Sequence, residues 1–266
     1  MKTGRFVKLF TLLMTPCVAS VPVWQDEFNQ PPGTGPDPEK WVHDLGDTGW
    51  GNKELQRYTD SRENSHVIED PDATDGRALV IKAVRGADGR YTSARLKTHG
   101  KYAVRHGRIE ARLKLPKGQG IWPAFWMLGE NIDDVSWPAC GEIDVMEMVG
   151  HTPGVLHGTL HGPGYSAARG ITKSTTLPDG AVFADAYHVF AVDWRPGRID
   201  WRLDGEIYHT ATPADLPEGG KWVFDDAPFF LLLNLAVGGL WPGYPDETTQ
   251  FPQEYRIDYV RVYPLE

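Results

Sequence analysis

Glu142, Asp144 and Glu147 fall in the run Cys140-Gly-Glu-Ile-Asp-Val-Met-Glu147, interleaved with Ile143, Val145 and Met146. Two carboxyls on either side of one bond can divide the work of acetal cleavage, one attacking as an anion and the other donating a proton. A third acid between them adds repulsion that keeps one group protonated. A solvated charge patch would not carry these apolar side chains among its acids, so the run reads as a strand with an acidic face and an apolar face. An exposed acidic sheet edge or a calcium site is the competing reading. Crowding carboxylates on one side of a buried strand is costly without a use for them.

The spacing demands a particular element. Strand side chains alternate, so Glu142 and Asp144 share a face, while Glu147 would point the other way in a regular strand. One extra residue, a β-bulge at Val145 or Met146, returns it to the acidic face. The glutamates are then effectively four strand residues apart, roughly 13 Å between Cα atoms, and leaning side chains bring the carboxyls to about 5–6 Å. That is near the ~5–5.5 Å of retaining glycosidases and short of the ~6.5–9.5 Å that inverting enzymes need to admit a water.

Aromatic residues gather around this run. Trp122 and Trp126 flank Pro123, Trp137 precedes the acids, and Trp241 lies in Gly238-Gly-Leu-Trp-Pro-Gly, a surface-loop composition. Core packing is the ordinary role of tryptophan, yet flat indoles beside an acidic strand also suit the apolar faces of pyranose rings. His157, Thr159 and His161 alternate on the following strand-like run. A lone histidine is usually structural; two on one face beside carboxylates, His161 foremost, can hold hydroxyls. A catalytic zinc on these histidines and Glu142 lacks a further ligand at sensible spacing.

The remaining sequence must build the sheet that holds these groups. The 266 residues are 41% hydrophobic, with 29 Gly and 21 Pro, which suits many short strands joined by tight turns. Strands are predicted at 78–84, 108–115, 124–128, 142–148, 155–161, 188–194, 198–203, 229–236 and 255–263. Asp75-Gly76, Asp88-Gly89, Asp179-Gly180, Pro196-Gly197 and Asp204-Gly205 punctuate them. No helical period persists, and no repeat or linker divides the chain. The expectation is an all-β, two-sheet antiparallel sandwich forming a single domain over 21–266.

The first twenty residues read as a signal peptide. Lys2, Arg5 and Lys8 precede the apolar stretch 9–15, and Val18, Ala19 and Ser20 offer a cleavage site. Cys17 raises a lipoprotein alternative, against which Pro16 speaks. Cleavage removes three basic residues and no acidic ones, taking the net charge from −9 to −12. Such a secreted, acidic domain is poorly suited to nucleic acid or a sulfated polymer. With the leader gone no membrane association is expected, and the chain is expected to be a monomer. Cys140 is left unpaired, so there is no disulfide framework.

The motif Glu-Ile-Asp-Val-Met-Glu, together with Gly120-Ile-Trp-Pro-Ala-Phe-Trp-Met-Leu-Gly, closely resembles family 16 glycoside hydrolases, and its five-residue glutamate spacing resembles their laminarinase branch. The likeness extends through Trp24–Asn29, Gly51–Thr59, Ser93–Leu96, Leu233–Gly239 and Ile257–Tyr263, and so spans nearly all of 23–263. It implies a β-jelly-roll with a cleft across its concave sheet, and retaining endo-hydrolysis of β-1,3-glucan. Glu142 would be the nucleophile, Glu147 the general acid/base and Asp144 the electrostatic helper. It also implies that Asn52, Arg95 and Asn234 face the cleft with the tryptophans. No cofactor is implied for catalysis. A structural calcium is, with Asp258 as side-chain ligand and Glu27 and Gly76 as backbone donors; an ordinary strand-end acid is the alternative for Asp258. Cleavage of mixed β-1,3/1,4-glucan, or glucan binding without catalysis, are the alternative functions.

Overall fold

The computed structural model describes residues 21–265; the expected leader over 1–20, with Cys17, lies outside the described residues. In chain order the strands are β1 (Trp24–Asp26), β2 (Val42–His43), β3 (Gln56–Tyr58), β4 (Ser65–Glu69), β5 (Arg77–Arg85), β6 (Tyr91–Ser93), β7 (Arg95–Lys97), β8 (Gly107–Lys114) and β9 (Ile121–Gly129). There follow β10 (Glu142–Glu147), β11 (Val155–His161), β12 (Ile171–Thr176), β13 (His188–Arg195), β14 (Arg198–Leu203), β15 (Glu206–Ala211), β16 (Phe229–Val237) and β17 (Gln253–Tyr263). Among the described residues a single short α-helix, α1 (Ile132–Val135), interrupts the loop between β9 and β10.

These strands form two sheets. One runs β15-β14-β13-β8-β17-β5-β6-β3, with β1 beside β17 and β4 beside β5; the other runs β12-β11-β10-β9-β16-β7-β2. Pairing is antiparallel except between β3 and β6. All nine runs read from alternation form strands, within a few residues of the expected bounds. The strands that alternation did not reveal are short or polar. β1, β2, β3, β6 and β7 have two or three residues each, too few for a period, β4 (Ser65–Glu69) and β15 (Glu206–Ala211) have five and six, and β12 (Ile-Thr-Lys-Ser-Thr-Thr) is a largely exposed edge.

The core lies between the sheets. From the larger sheet come Leu79, Ile81, Ile109, Leu113, Val192 and Trp201; from the smaller come Phe125, Met127, Ile143, Val145, Met146 and Leu233. Alternation then sends the other side chains of β9, β10 and β16 to the outer face of the smaller sheet, where the acids lie. Entry into β10 depends on a glycine. Gly141 has φ of +78°, and a Cβ there would come within 2.9 Å of the Phe229 ring, so both conformation and space exclude a side chain.

Candidate active site

The register of β10 carries the extra residue that the spacing demanded. Opposite Glu142, Asp144 and Glu147, β9 places Leu128, Trp126 and Ala124, while β11 places His161, Thr159 and His157. Both neighbours advance by two residues where β10 advances by three, between Asp144 and Glu147. All three acids therefore share one face, and Val145 and Met146 both turn into the core, 1% and 0% exposed. A bulge frees a carbonyl from the ladder. Here the fully buried Trp201, reaching across from β14, donates its Nε1–H to the Asp144 carbonyl oxygen at 2.8 Å. Trp201→Phe keeps the bulk and deletes that donor, so it is expected to destabilise the fold by about 1–3 kcal/mol in denaturant unfolding.

Each outer glutamate receives one indole N–H. Trp137 Nε1 donates to Glu142 Oε2 at 2.5 Å, and Trp122 Nε1 donates to Glu147 Oε1 at 3.0 Å. Asp144, only 1% exposed, lies 3.2 Å from His161 Nε2, and coordinating atoms of Glu142, Asp144 and His161 all fall within 4.8 Å of one another. Burial, reinforced by mutual repulsion, pushes the acids' proton affinities up. For Glu142, burial comes first and the Asp144 charge second; for Asp144, burial dominates, opposed by a hydrogen bond with Glu142. Glu147 is driven furthest, well above the usual carboxylate range, by burial and then by the charges of Asp144 and Glu142. Of the three, Glu147 is therefore the one held most strongly towards its protonated form, beside a Glu142–Asp144 pair joined by a hydrogen bond, an inequality that suits acid-assisted displacement.

Indoles stand at both ends of the row. Trp137, 43% exposed, covers the Glu142 end, its ring 6.2 Å from that of His161. At the Glu147 end, Trp241 (42% exposed) meets Trp122 edge-on at 5.3 Å and His157 at 5.1 Å. Trp126 lies opposite Asp144 and donates Nε1–H to Asn234 Oδ1 at 2.7 Å. Arg95, paired with Asn234 across β7 and β16, is held between two indoles, 4.9 Å from the Trp50 centroid and 4.7 Å from that of Trp126. It also forms an ion pair with Asp44 at 2.9 Å. Asn52 donates to Glu54 Oε1 at 3.1 Å, and its backbone carbonyl accepts from the Leu240 amide of the Trp241 loop.

His161 sits beside the acid row, its Nε2 3.2 Å from Asp144 Oδ2 and its Nδ1 buried without a hydrogen-bond partner. One expectation needs adjustment. The calcium cage expected at Asp258 does not match the contacts there. Asp258 accepts from Thr74 N–H and Oγ1–H and takes the Arg112 guanidinium, while the Gly76 carbonyl accepts from the Asp70 amide. Glu27 holds Arg261 through both its carboxylate oxygens. A guanidinium thus supplies the positive charge that a cation would bring to Asp258, and the Asp258 carboxylate and the Gly76 carbonyl already have donors. Sequence reading also passed over Trp50, Asp44, Glu54 and Tyr58. The alternation Glu54-Leu-Gln56-Arg-Tyr58, with a polar group at every second residue, was the available signal.

Comparison with known proteins bears on the same residues. The profile of glycosyl hydrolases family 16 matches residues 55–261. A β-glucanase of Rhodothermus marinus is 43% identical over 91% of this chain and 84% of its own length. The laminarinase catalytic domain of Thermotoga maritima MSB8 superposes with a TM-score of 0.83 at 47% identity, covering 93% of this chain and 99% of that one. An endo-β-1,3-glucanase of Pyrococcus furiosus gives 0.81 at 46% identity, covering 91% and 94%.

Proposed function

Since the chain belongs to glycosyl hydrolases family 16, we propose that it is a retaining endo-hydrolase of β-1,3-glucan, with Glu142 as nucleophile and Glu147 as general acid and base. The protein is a glycoside hydrolase with the jelly-roll sandwich of its laminarinase neighbours. The observation that carries the residue roles is the bulged register, which turns two indole-bound glutamates to one outer face with Asp144 between them.

The reaction follows from their unequal protonation. Glu142, stabilised as an anion by the Trp137 N–H, attacks the anomeric carbon as Glu147 protonates the departing glycosidic oxygen. The C–O bond breaks and a glycosyl ester of Glu142 forms. Glu147, now a carboxylate, takes a proton from water; the resulting hydroxyl attacks the same carbon, and Glu142 leaves as a carboxylate. Two inversions give net retention. Asp144, sharing a proton with Glu142, orients the nucleophile and steadies the charge that returns to it. Trp241 and Trp137 offer indole faces to sugar rings on either side of the cleaved bond. The chemistry draws on carboxyl groups and water and calls for no cofactor.

The test is the anomer released first from laminarin, read by proton NMR before mutarotation. The β-anomer, with viscosity falling ahead of reducing-end formation, is expected; the α-anomer first, or no cleavage, overturns the proposal. Parallel incubation with lichenan reads out mixed-linkage cleavage. Calcium has no part in this reading. With Asp258 neutralised by Arg112, chelation by EDTA is expected to leave the melting temperature unchanged, and a drop of several degrees would restore the metal. The leader-like first twenty residues and the size of a glucan substrate together favour an exported enzyme. Among the described residues no helix is long and apolar enough to cross a membrane.

A further inference from the structure

A buried chain of hydrogen bonds leads away from the acid row and ends on a carboxyl with no direct role in the chemistry. Trp126 lies opposite Asp144 on β9 and donates Nε1–H to Asn234 Oδ1 at 2.7 Å. An indole nitrogen can only donate, so the Asn234 oxygen must face it, and the amide's NH2 must face the other way. That NH2 donates to the Tyr58 hydroxyl oxygen at 3.2 Å, leaving the hydroxyl hydrogen for Glu54 Oε2, 3.4 Å away and the loosest link. Tyr58 is 1% exposed and Asn234 7%, so water does not compete for these groups.

Glu54 is anchored independently. Gln56 Nε2 donates to its Oε2 at 2.6 Å and Asn52 Nδ2 to its Oε1 at 3.1 Å. Burial raises the carboxyl's proton affinity, while these donors and the charge of Arg95 pull it back towards the anion. Gln56 in turn accepts from the Val237 amide at 2.7 Å through Oε1. Val237 ends β16, and the loop bearing Trp241 begins at the next residue. One carboxylate therefore sits at the junction of two substrate-facing indoles.

We propose that Glu54 is a positioning residue for glucan binding: as the terminal acceptor it fixes the direction of the Trp126→Asn234→Tyr58→Glu54 chain, and thereby the seating of the Trp126 indole beside the acids. This rests on the proposed function for its substrate and on the hydrogen-bond chain for its mechanism. A neutral amide at position 54 can donate as well as accept, so the chain loses its single direction. Tyr58 can then turn its hydroxyl away, and Asn234 and Trp126 lose their fixed partners. The acids themselves are untouched, so binding should suffer and chemistry should not.

The experiment compares Glu54→Gln with the parent chain. In 15N-labelled protein the Trp126 Nε1–H resonance, assigned through Trp126→Phe, is expected to shift or split while that of Trp137 stays in place. With laminarihexaose, KM is expected to rise about tenfold with kcat within about threefold. An unmoved Trp126 resonance overturns the proposal, as does a tenfold loss in kcat at constant KM. Should Glu54→Gln fail to fold, Tyr58→Phe cuts the same chain one link earlier and must move the same resonance. Failure of the parent chain to cleave laminarin would refute the proposed function, whereas the indole resonance reports on Glu54 alone.

Discussion

Glu142→Ala will lose hydrolysis of laminarin by at least about 10⁴-fold, because no group remains to form the covalent intermediate. Azide is expected to restore turnover on an activated β-glucoside of a laminari-oligosaccharide. The truncated side chain leaves space on the face of the anomeric carbon that Glu142 occupied, and azide attacks there while Glu147 still protonates the leaving oxygen. One displacement means one inversion, so the product is the α-glycosyl azide. A β-azide, or no rescue at concentrations that saturate similar small anions, rules out Glu142 as nucleophile. Melting temperature serves as the folding control. Relief of repulsion among the three acids is expected to hold it at or above that of the parent chain.

Glu147→Ala gives the opposite stereochemical result. Without its proton donor the enzyme should lose about 10²–10⁴-fold on laminarin, whose leaving group is an alcohol that needs protonation. An aryl glycoside with an acidic phenol needs no such help in the first step, so its glycosyl ester with Glu142 still forms. Hydrolysis of that ester is slow without a base, and azide, which needs no base, intercepts it. The product has undergone two displacements and is the β-glycosyl azide. Equal losses on laminarin and on the aryl glycoside would remove Glu147 from the acid/base role. The two variants thus form a matched pair whose azide products distinguish the glutamates without reference to rate.

The acid row was legible because its logic is local. Alternation placed Glu142 and Asp144 together, and the misfit of Glu147 required an extra residue, which the register shows between Asp144 and Glu147. Long strands with buried alternate residues were equally plain. What escaped was non-local. β12 is polar on both faces because it closes a sheet edge, and the short strands acquire their pairing only from neighbours far away in sequence. Trp50 carried no periodic signal, and its contact with Arg95 exists only because a loop folds over β7. For His161, sequence shows which face the side chain takes but not that its Nε2 comes within 3.2 Å of Asp144. Asp258 illustrates the same limit: Arg112 lies 146 residues away, and only the paired β8 and β17 bring the two together.

The bulge has a consequence for how such a motif can vary. Its surplus residue is absorbed where two hydrophobic side chains enter the core side by side, so a chain lacking Val145 would still present Glu, Asp and Glu at every second position. Elsewhere in the strand, loss of one residue would reverse the parity of every side chain beyond it. At this point a deletion keeps the acids on the same face and alters the volume beneath them and the bulge carbonyl that Trp201 caps. Longer and shorter forms of the motif can therefore be interconverted by a single deletion that does not reverse the parity of the acids.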